Sequence, residues 1–188
     1  MASLTPQIVT SFFEALNQNK DDYDVFIESG TKGGTTIINL ISLFKTLHTI
    51  ELSENYFNFF DNIKKENNFT NVVNYFGATE NLMSGILEGL SSNDNVVFWL
   101  DGHWSSFDTA RGEKDCPLLD ECSIIDNTYR SNKAIILIDD FRLFGTNIAE
   151  DWSEVTLKNV ISCFKRHSVL YFIKDDIVAI LIEKNVNI

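Results

Sequence analysis

Cysteine is scarce in this sequence. Cys116, Cys122 and Cys163 are the only three, and no two stand in CxxC spacing. An odd, scattered set argues against a disulfide framework and a zinc knuckle, so a reducing, cytoplasmic setting is expected. Long apolar runs are missing too: none approaches the roughly 20 residues that cross a bilayer. Residues 1–6 have neither a basic n-region nor a long apolar stretch, so neither a signal peptide nor membrane insertion is expected. Basic residues are few, with 15 Lys and Arg against 27 Asp and Glu and a net charge of −12. Phosphate backbones and anionic membranes attract basic surfaces, so a broad nucleic-acid or membrane face is not expected. The expected ligand is neutral or cationic, or an anion held by a few local groups. Internal repeats and low-complexity tracts are also lacking.

What remains is an ordinary globular composition, 44% hydrophobic and 22% charged in 188 residues, enough for one domain with a sizeable core. Residues 1–188 are read as that domain, with an N-terminal helix within 1–22 and a core from 23 onward. Apolar positions Ile8, Val9, Phe12, Phe13 and Leu16 predict the helix. Strands are predicted at 23–28, 49–52, 71–76, 96–100 and 134–138. Helices are predicted at 33–45, from Ser53 as N-cap to about 66, at 79–90, from Pro117 to about 130, and at 153–165. Residues 168–173 and 177–182 read as a terminal hairpin turning at Lys174-Asp175-Asp176. Five strand–helix alternations before a hairpin predict an α/β fold: a Rossmann-like three-layer αβα sandwich on a mostly parallel sheet with a C-terminal antiparallel hairpin. Ligands of such sheets sit outside the carboxyl ends of the strands, which is where the acids below are expected.

The segment Val25-Phe26-Ile27-Glu28-Ser29-Gly30-Thr31-Lys32-Gly33-Gly34 ends an apolar run in an acid and a glycine turn, with Thr35 opening the next helix. Glycines allow a tight turn, and the helix start offers free N–H groups. The spacing is not GxGxxG, and Glu28 would repel a pyrophosphate; an acid there suits a zwitterion such as an amino-acid moiety. Glu51, before Leu52, follows near the roughly 20-residue spacing of a ribose-binding acid. Together these describe S-adenosylmethionine better than NAD, against the plainer reading of a glycine turn and a solvated acid.

Asp101 and His103 follow the fourth strand in Phe98-Trp99-Leu100-Asp101-Gly102-His103-Trp104, and Asp139 and Asp140 follow the fifth. Asp101, Asp139 and Asp140 could converge on one hard divalent cation such as Mg²⁺; solvated strand-end acids are the alternative. His103 could remove a hydroxyl proton. His48 and His167 read as structural or solvated, and Trp99 as core. Trp104 and Phe107, in the long loop 102–116, could face a sugar or a flat ring. Arg111, Lys114 and Arg142 could position an anionic substrate, or pair with Asp108, Glu113 or Asp115.

The motifs Phe-Ile-Glu-Ser-Gly-Thr, Ile-Glu-Leu-Ser, Phe-Trp-Leu-Asp-Gly-His-Trp-Ser, Asp-Thr-Ala-Arg-Gly-Glu-Lys-Asp and Ile-Leu-Ile-Asp-Asp-Phe-Arg resemble class I S-adenosylmethionine-dependent methyltransferases over residues 24–145. More narrowly, they resemble small methyltransferase-like proteins found beside glycan-assembly genes and, more distantly, macrocin-type sugar O-methyltransferases. The resemblance implies a seven-stranded sheet, a methyl donor between strands 1 and 4, and a sugar hydroxyl acceptor, with a glycosyltransferase domain as a possible companion. Glu28, Gly30 and Gly34 would line the methionine part and Glu51 the ribose. Ser29, Thr31, Thr35, Leu52, Ala78 and Thr79 would complete the cofactor set. Asp101 would lie beside the transferred methyl, His103 or Asp140 would take the proton, and Asp139 and Asp140 match the metal acids. Trp104, Arg111 and Arg142 would meet the acceptor. The chain departs from the pattern at Lys32, where many relatives have glycine, and at Ala78, where an acid often contacts adenine. Another small hydroxylated acceptor, a protein side chain, or a non-catalytic binding module of the same fold stand as alternatives, with an NAD enzyme third.

Overall fold

In the computed structural model, which describes residues 3–105 and 109–185, the central strand β4 (Val96–Leu100) is apolar throughout and buried at every position. That is what a parallel strand covered on both faces requires. Its residues alternate between two cores, because successive side chains of a strand point to opposite faces. Val96, Phe98 and Leu100 face one core, and Val97 and Trp99 the other. Each such large side chain removed from water contributes about 1.5–3 kcal/mol.

The second core is closed by α1 (Pro6–Ala15), α2 (Thr35–Leu40) and α3 (Glu54–Glu66). The first is closed by α4 (Thr79–Glu88), α5 (Leu118–Thr128) and α6 (Leu157–Cys163). Between them lie β1 (Val25–Ser29), β2 (Thr46–Glu51), β3 (Val72–Phe76), β4, β5 (Lys133–Ile138), β6 (His167–Lys174) and β7 (Ile177–Lys184). The strand order is β3-β2-β1-β4-β5-β7-β6. The first five strands are parallel; β7 runs antiparallel between β5 and β6. This is the α/β three-layer sandwich expected, with its terminal hairpin. The order reverses between β1 and β4, which opens a crevice at their carboxyl ends. Among the described residues, no helix is long and apolar enough to cross a membrane.

Ser53 caps α3 as expected, its hydroxyl accepting from the Tyr56 N–H. Pro117 stands one position earlier than expected, at the N-cap of α5. Three boundaries moved further. α2 stops at Leu40 rather than near 45, because the Asn71 side-chain amide donates to the carbonyls of Ile41 and Phe44 and so satisfies groups that a longer helix would have used. β2 begins at Thr46 rather than 49, which puts His48 inside the sheet, stacked on Tyr75 with Nδ1 3.1 Å from its hydroxyl. α6 begins only after Thr156, whose hydroxyl accepts from the Asn159 N–H; the preceding residues form turns around the buried Trp152.

Candidate active site

The turn after β1 meets the turn after β4. Gly30 has φ +85, and a Cβ built on it would stand 2.6 Å from the Asp101 carbonyl oxygen, so only glycine allows the two turns to touch. One residue on, the Thr31 and Thr49 hydroxyls are 2.5 Å apart. The Thr49 hydroxyl donates to Glu28 Oε2 at 2.8 Å. Glu28 is only 2% exposed, and burial pushes its pKa up to about 8 against the pull of the Thr49 and Thr36 hydroxyls.

Glu51 ends β2. Its Oε2 accepts the Lys32 N–H and its Oε1 the Ser53 N–H, both at 2.7 Å. Burial raises its pKa while these N–H groups lower it. Each oxygen still has a lone pair for a further donor. Glu51, Leu52, Ala78, Thr79, Gly30 and Asp101 border one cleft of about 670 Å³, roofed by Trp104, Thr109, Ala110 and Gly112. The roof is tied down where the Trp104 N–H donates to the Asp115 carbonyl at 2.7 Å and Asp115 Oδ2 accepts the Asp151 N–H at 3.0 Å. Beside the cleft, a second cavity is bordered by Glu28, Thr31, Thr35, Thr36 and Asp101. Gly30, Lys32 and Asp101 border both.

Next to Asp101 lies a buried cluster of charge. The His103 side chain is 4% exposed, with Nδ1 3.6 Å from Asp101 Oδ1. Its Nε2 is 3.3 Å from Asp140 Oδ2 and 3.6 Å from Glu150 Oε2. The ring packs edge-on against Trp152, with centroids 5.1 Å apart. The Trp152 indole N–H in turn donates to Glu150 Oε2 at 2.9 Å. Burial holds the imidazole below its ordinary pKa, against the upward pull of Glu150 and Asp140. Burial, Asp139, Asp140 and Glu28 together push the Asp101 carboxyl well above the usual range. Asp101 Oδ1 has no hydrogen-bond partner among the described residues.

Asp101, His103 and Asp140 each bring a ligating atom within 4.8 Å of the others. His103 joins the expected Asp101 and Asp140 in this group, and Asp139 is not part of it. Neighbouring residues at a strand end point apart. Asp140 turns into the left-handed region at φ 61° and reaches the cluster, while the Asp139 N–H continues the ladder to the Leu100 carbonyl at 3.3 Å.

Other expected residues have protein partners of their own. A Cβ on Gly34 would stand 2.1 Å from the Phe60 ring, so this glycine admits Phe60 to the core and does not border either cavity. Ser29 is wholly buried beneath Gly102. Arg111 stacks over Trp104 at 4.5 Å and pairs with Asp115 at 2.6 Å. Lys114 pairs with Asp120, and Arg142 with Asp140 and Asp176. Trp99 is core. His167 is paired with the buried Asp126 at 2.8 Å. Phe107 and Asp108 lie outside the described residues. Sequence reasoning missed Glu150 and Trp152, which belong to no strand end, and Glu121. Glu121 is 1% exposed and borders a small cavity beneath Asp101 and His103.

No protein-family model and no curated protein sequence matches the chain. Solved structures do. The O-methyltransferase TomG from Streptomyces achromogenes, involved in tomaymycin synthesis and solved in complex with SAM, is 15% identical, with 98% of this chain and 82% of that one covered and a TM-score of 0.62. The SAH-bound methyltransferase PaMTH1 from Podospora anserina is 14% identical, with 97% and 80% covered and a TM-score of 0.63. An rRNA methylase from Streptococcus thermophilus is 14% identical, with 98% of both chains covered and a TM-score of 0.57. At these identities the likeness is one of fold: the chain has the Rossmann-like fold of class I methyltransferases.

Proposed function

We propose that this chain is an S-adenosylmethionine-dependent O-methyltransferase whose acceptor is a sugar hydroxyl, with residues 1–188 acting as one catalytic domain. The observation that carries the reading is the meeting of the Gly30 turn, Glu51 and the Asp101–His103–Asp140 cluster at one crevice. Fold alone would not assign an activity. Bound S-adenosylmethionine supplies an electrophilic methyl group on sulfur.

The residues present fit that ligand. Glu51, fixed by two backbone N–H groups, keeps lone pairs for a ribose diol. Thr79, Glu80 and the backbone at Ala78 border the same cleft and would meet the adenine edge in place of the missing acid. Glu28 and Asp101 are the carboxyls that border the second cavity, where an α-ammonium would be received. Asp140 and Glu150 both face Nε2 of His103. They favour the tautomer with the proton on Nε2, which leaves Nδ1, on the Asp101 side, to accept the hydroxyl proton. Holding the hydroxyl against the donor would supply most of the rate.

The cluster also fits a divalent cation: Asp101 and Asp140 offer carboxylate oxygens, His103 an imidazole nitrogen, and Asp101 Oδ1 has a lone pair without a partner among the described residues. Such an ion would lower the pKa of the acceptor hydroxyl. A net charge of −12 favours a small acceptor over the RNA on which some fold relatives act.

The test is calorimetric titration with S-adenosylhomocysteine, with EDTA or with Mg²⁺. Methyl transfer from labelled cofactor to deoxyhexose glycosides, catechols and RNA would follow. Binding near micromolar, about −8 kcal/mol, with transfer to a glycoside supports the proposal. Transfer only to catechols or RNA moves the acceptor. Absence of binding leaves a non-catalytic module of this fold.

A further inference from the structure

The loop between β1 and α2 holds one residue whose backbone does not suit its side chain. Lys32 has φ +46, in the left-handed region that penalises any residue with a Cβ. Its N–H donates to Glu51 Oε2, but a glycine would make that bond without strain, so the bond does not explain a lysine here. Strained backbone of this kind clusters at binding and active sites.

The position of Lys32 supplies the requirement. It borders both the cleft under Trp104 and the second cavity, at the joint between them. Among the described residues that border the second cavity it is the only cation, and it shares that cavity with the carboxyls of Glu28 and Asp101. No ion pair among the described residues engages its ammonium, although its charge is felt at Glu51. The other lysine bordering the cleft under Trp104, Lys114, is already paired with Asp120. Two acids and one lysine around a single cavity suit an α-amino acid zwitterion: its ammonium toward the carboxyls, whose ionised form it would favour, and its carboxylate toward the lysine.

We propose that Lys32 binds the α-carboxylate of the ligand's amino-acid moiety and makes the site selective for adenosyl ligands that carry one. The proposal rests on the cofactor reading given above.

Two ligands separate the two ideas. S-adenosylhomocysteine carries the amino-acid moiety; 5′-methylthioadenosine keeps the adenosine and sulfur and lacks it. Each is titrated calorimetrically into the wild type and into Lys32→Gly, Lys32→Met and Lys32→Arg. In the expected result, Lys32→Gly and Lys32→Met weaken S-adenosylhomocysteine at least about tenfold and leave 5′-methylthioadenosine within about twofold. Lys32→Arg, which keeps the charge, recovers most of the loss. The Tm of Lys32→Gly stays level or rises, because the turn is relieved, so a loss of affinity is not a loss of fold. Unchanged affinity for S-adenosylhomocysteine in Lys32→Gly, or an equal fall for both ligands, overturns the role of Lys32 while the cofactor reading stands. A wild type that binds neither ligand overturns both.

Discussion

The α-carbon of Gly30 and the carbonyl of Asp101 meet so closely that a methyl group on Gly30 would stand 2.6 Å from the carbonyl oxygen. The two halves of the crevice, one from β1 and one from β4, are thus held in register by the absence of a side chain. Gly30→Ala must both adopt φ +85 and push the β4 turn aside. It should lower stability by about 1–3 kcal/mol, seen in denaturant unfolding, and abolish S-adenosylhomocysteine binding. Gly34→Ala, whose Cβ meets the Phe60 ring instead, should cost stability comparably and spare more of the affinity.

His103 is enclosed by Asp101, Asp140, Glu150 and Trp152 and borders the cleft beside Asp101. If it accepts the hydroxyl proton, His103→Ala should lower kcat by about 10²–10⁴ and leave the Kd for S-adenosylhomocysteine almost unchanged. Single-turnover kinetics beside calorimetry would show the split. An equal loss of turnover and cofactor affinity would sink its role as base.

Two buried carboxyls make stability depend on pH. Glu28, beside Thr49, Thr36 and Glu51, and Glu121, beside Ser29, Thr79, Glu80 and Asp120, are each raised by burial from an ordinary 4.5 to about 8. Between those values the unfolded chain has released protons that the folded chain retains, so ΔG of unfolding falls as pH rises from about 4.5 to about 8 and levels beyond. Glu28→Gln and Glu121→Gln keep the shape without the charge. Each should flatten that slope, and the pair more than either, in urea unfolding followed from pH 5 to 8. An unchanged slope would mean that both carboxyls ionise freely in the fold.

The divalent site is tested by Mn²⁺ titration followed by electron paramagnetic resonance. Asp101→Ala and Asp140→Ala should weaken binding by at least about tenfold. Asp139→Asn, a residue outside the cluster, should leave it within a few-fold. Equal losses at Asp139 and Asp140 would return the ligand set to the acids alone, and a wild type that binds no Mn²⁺ would remove the metal from the mechanism.

The layers, and the side of the sheet on which chemistry could lie, are written in local patterns of residues. Fully apolar β4, the alternation of helix and strand, and the Ser53 cap are local patterns, and local patterns record how a segment packs. The acids at Glu28, Glu51, Asp101 and Asp140 were legible because strand ends are legible, and parallel strands bring their ends to one edge. The remaining features come from contacts between distant segments. Whether Asp139 or Asp140 joins the cluster depends on one left-handed residue, and Gly34 lies against the Phe60 ring because α3 packs there. Glu150 and Trp152 reach His103 from turns far along the chain that carry no periodicity. Such meetings are set by how the helices and loops close over the sheet, and a one-dimensional pattern holds no record of that closure.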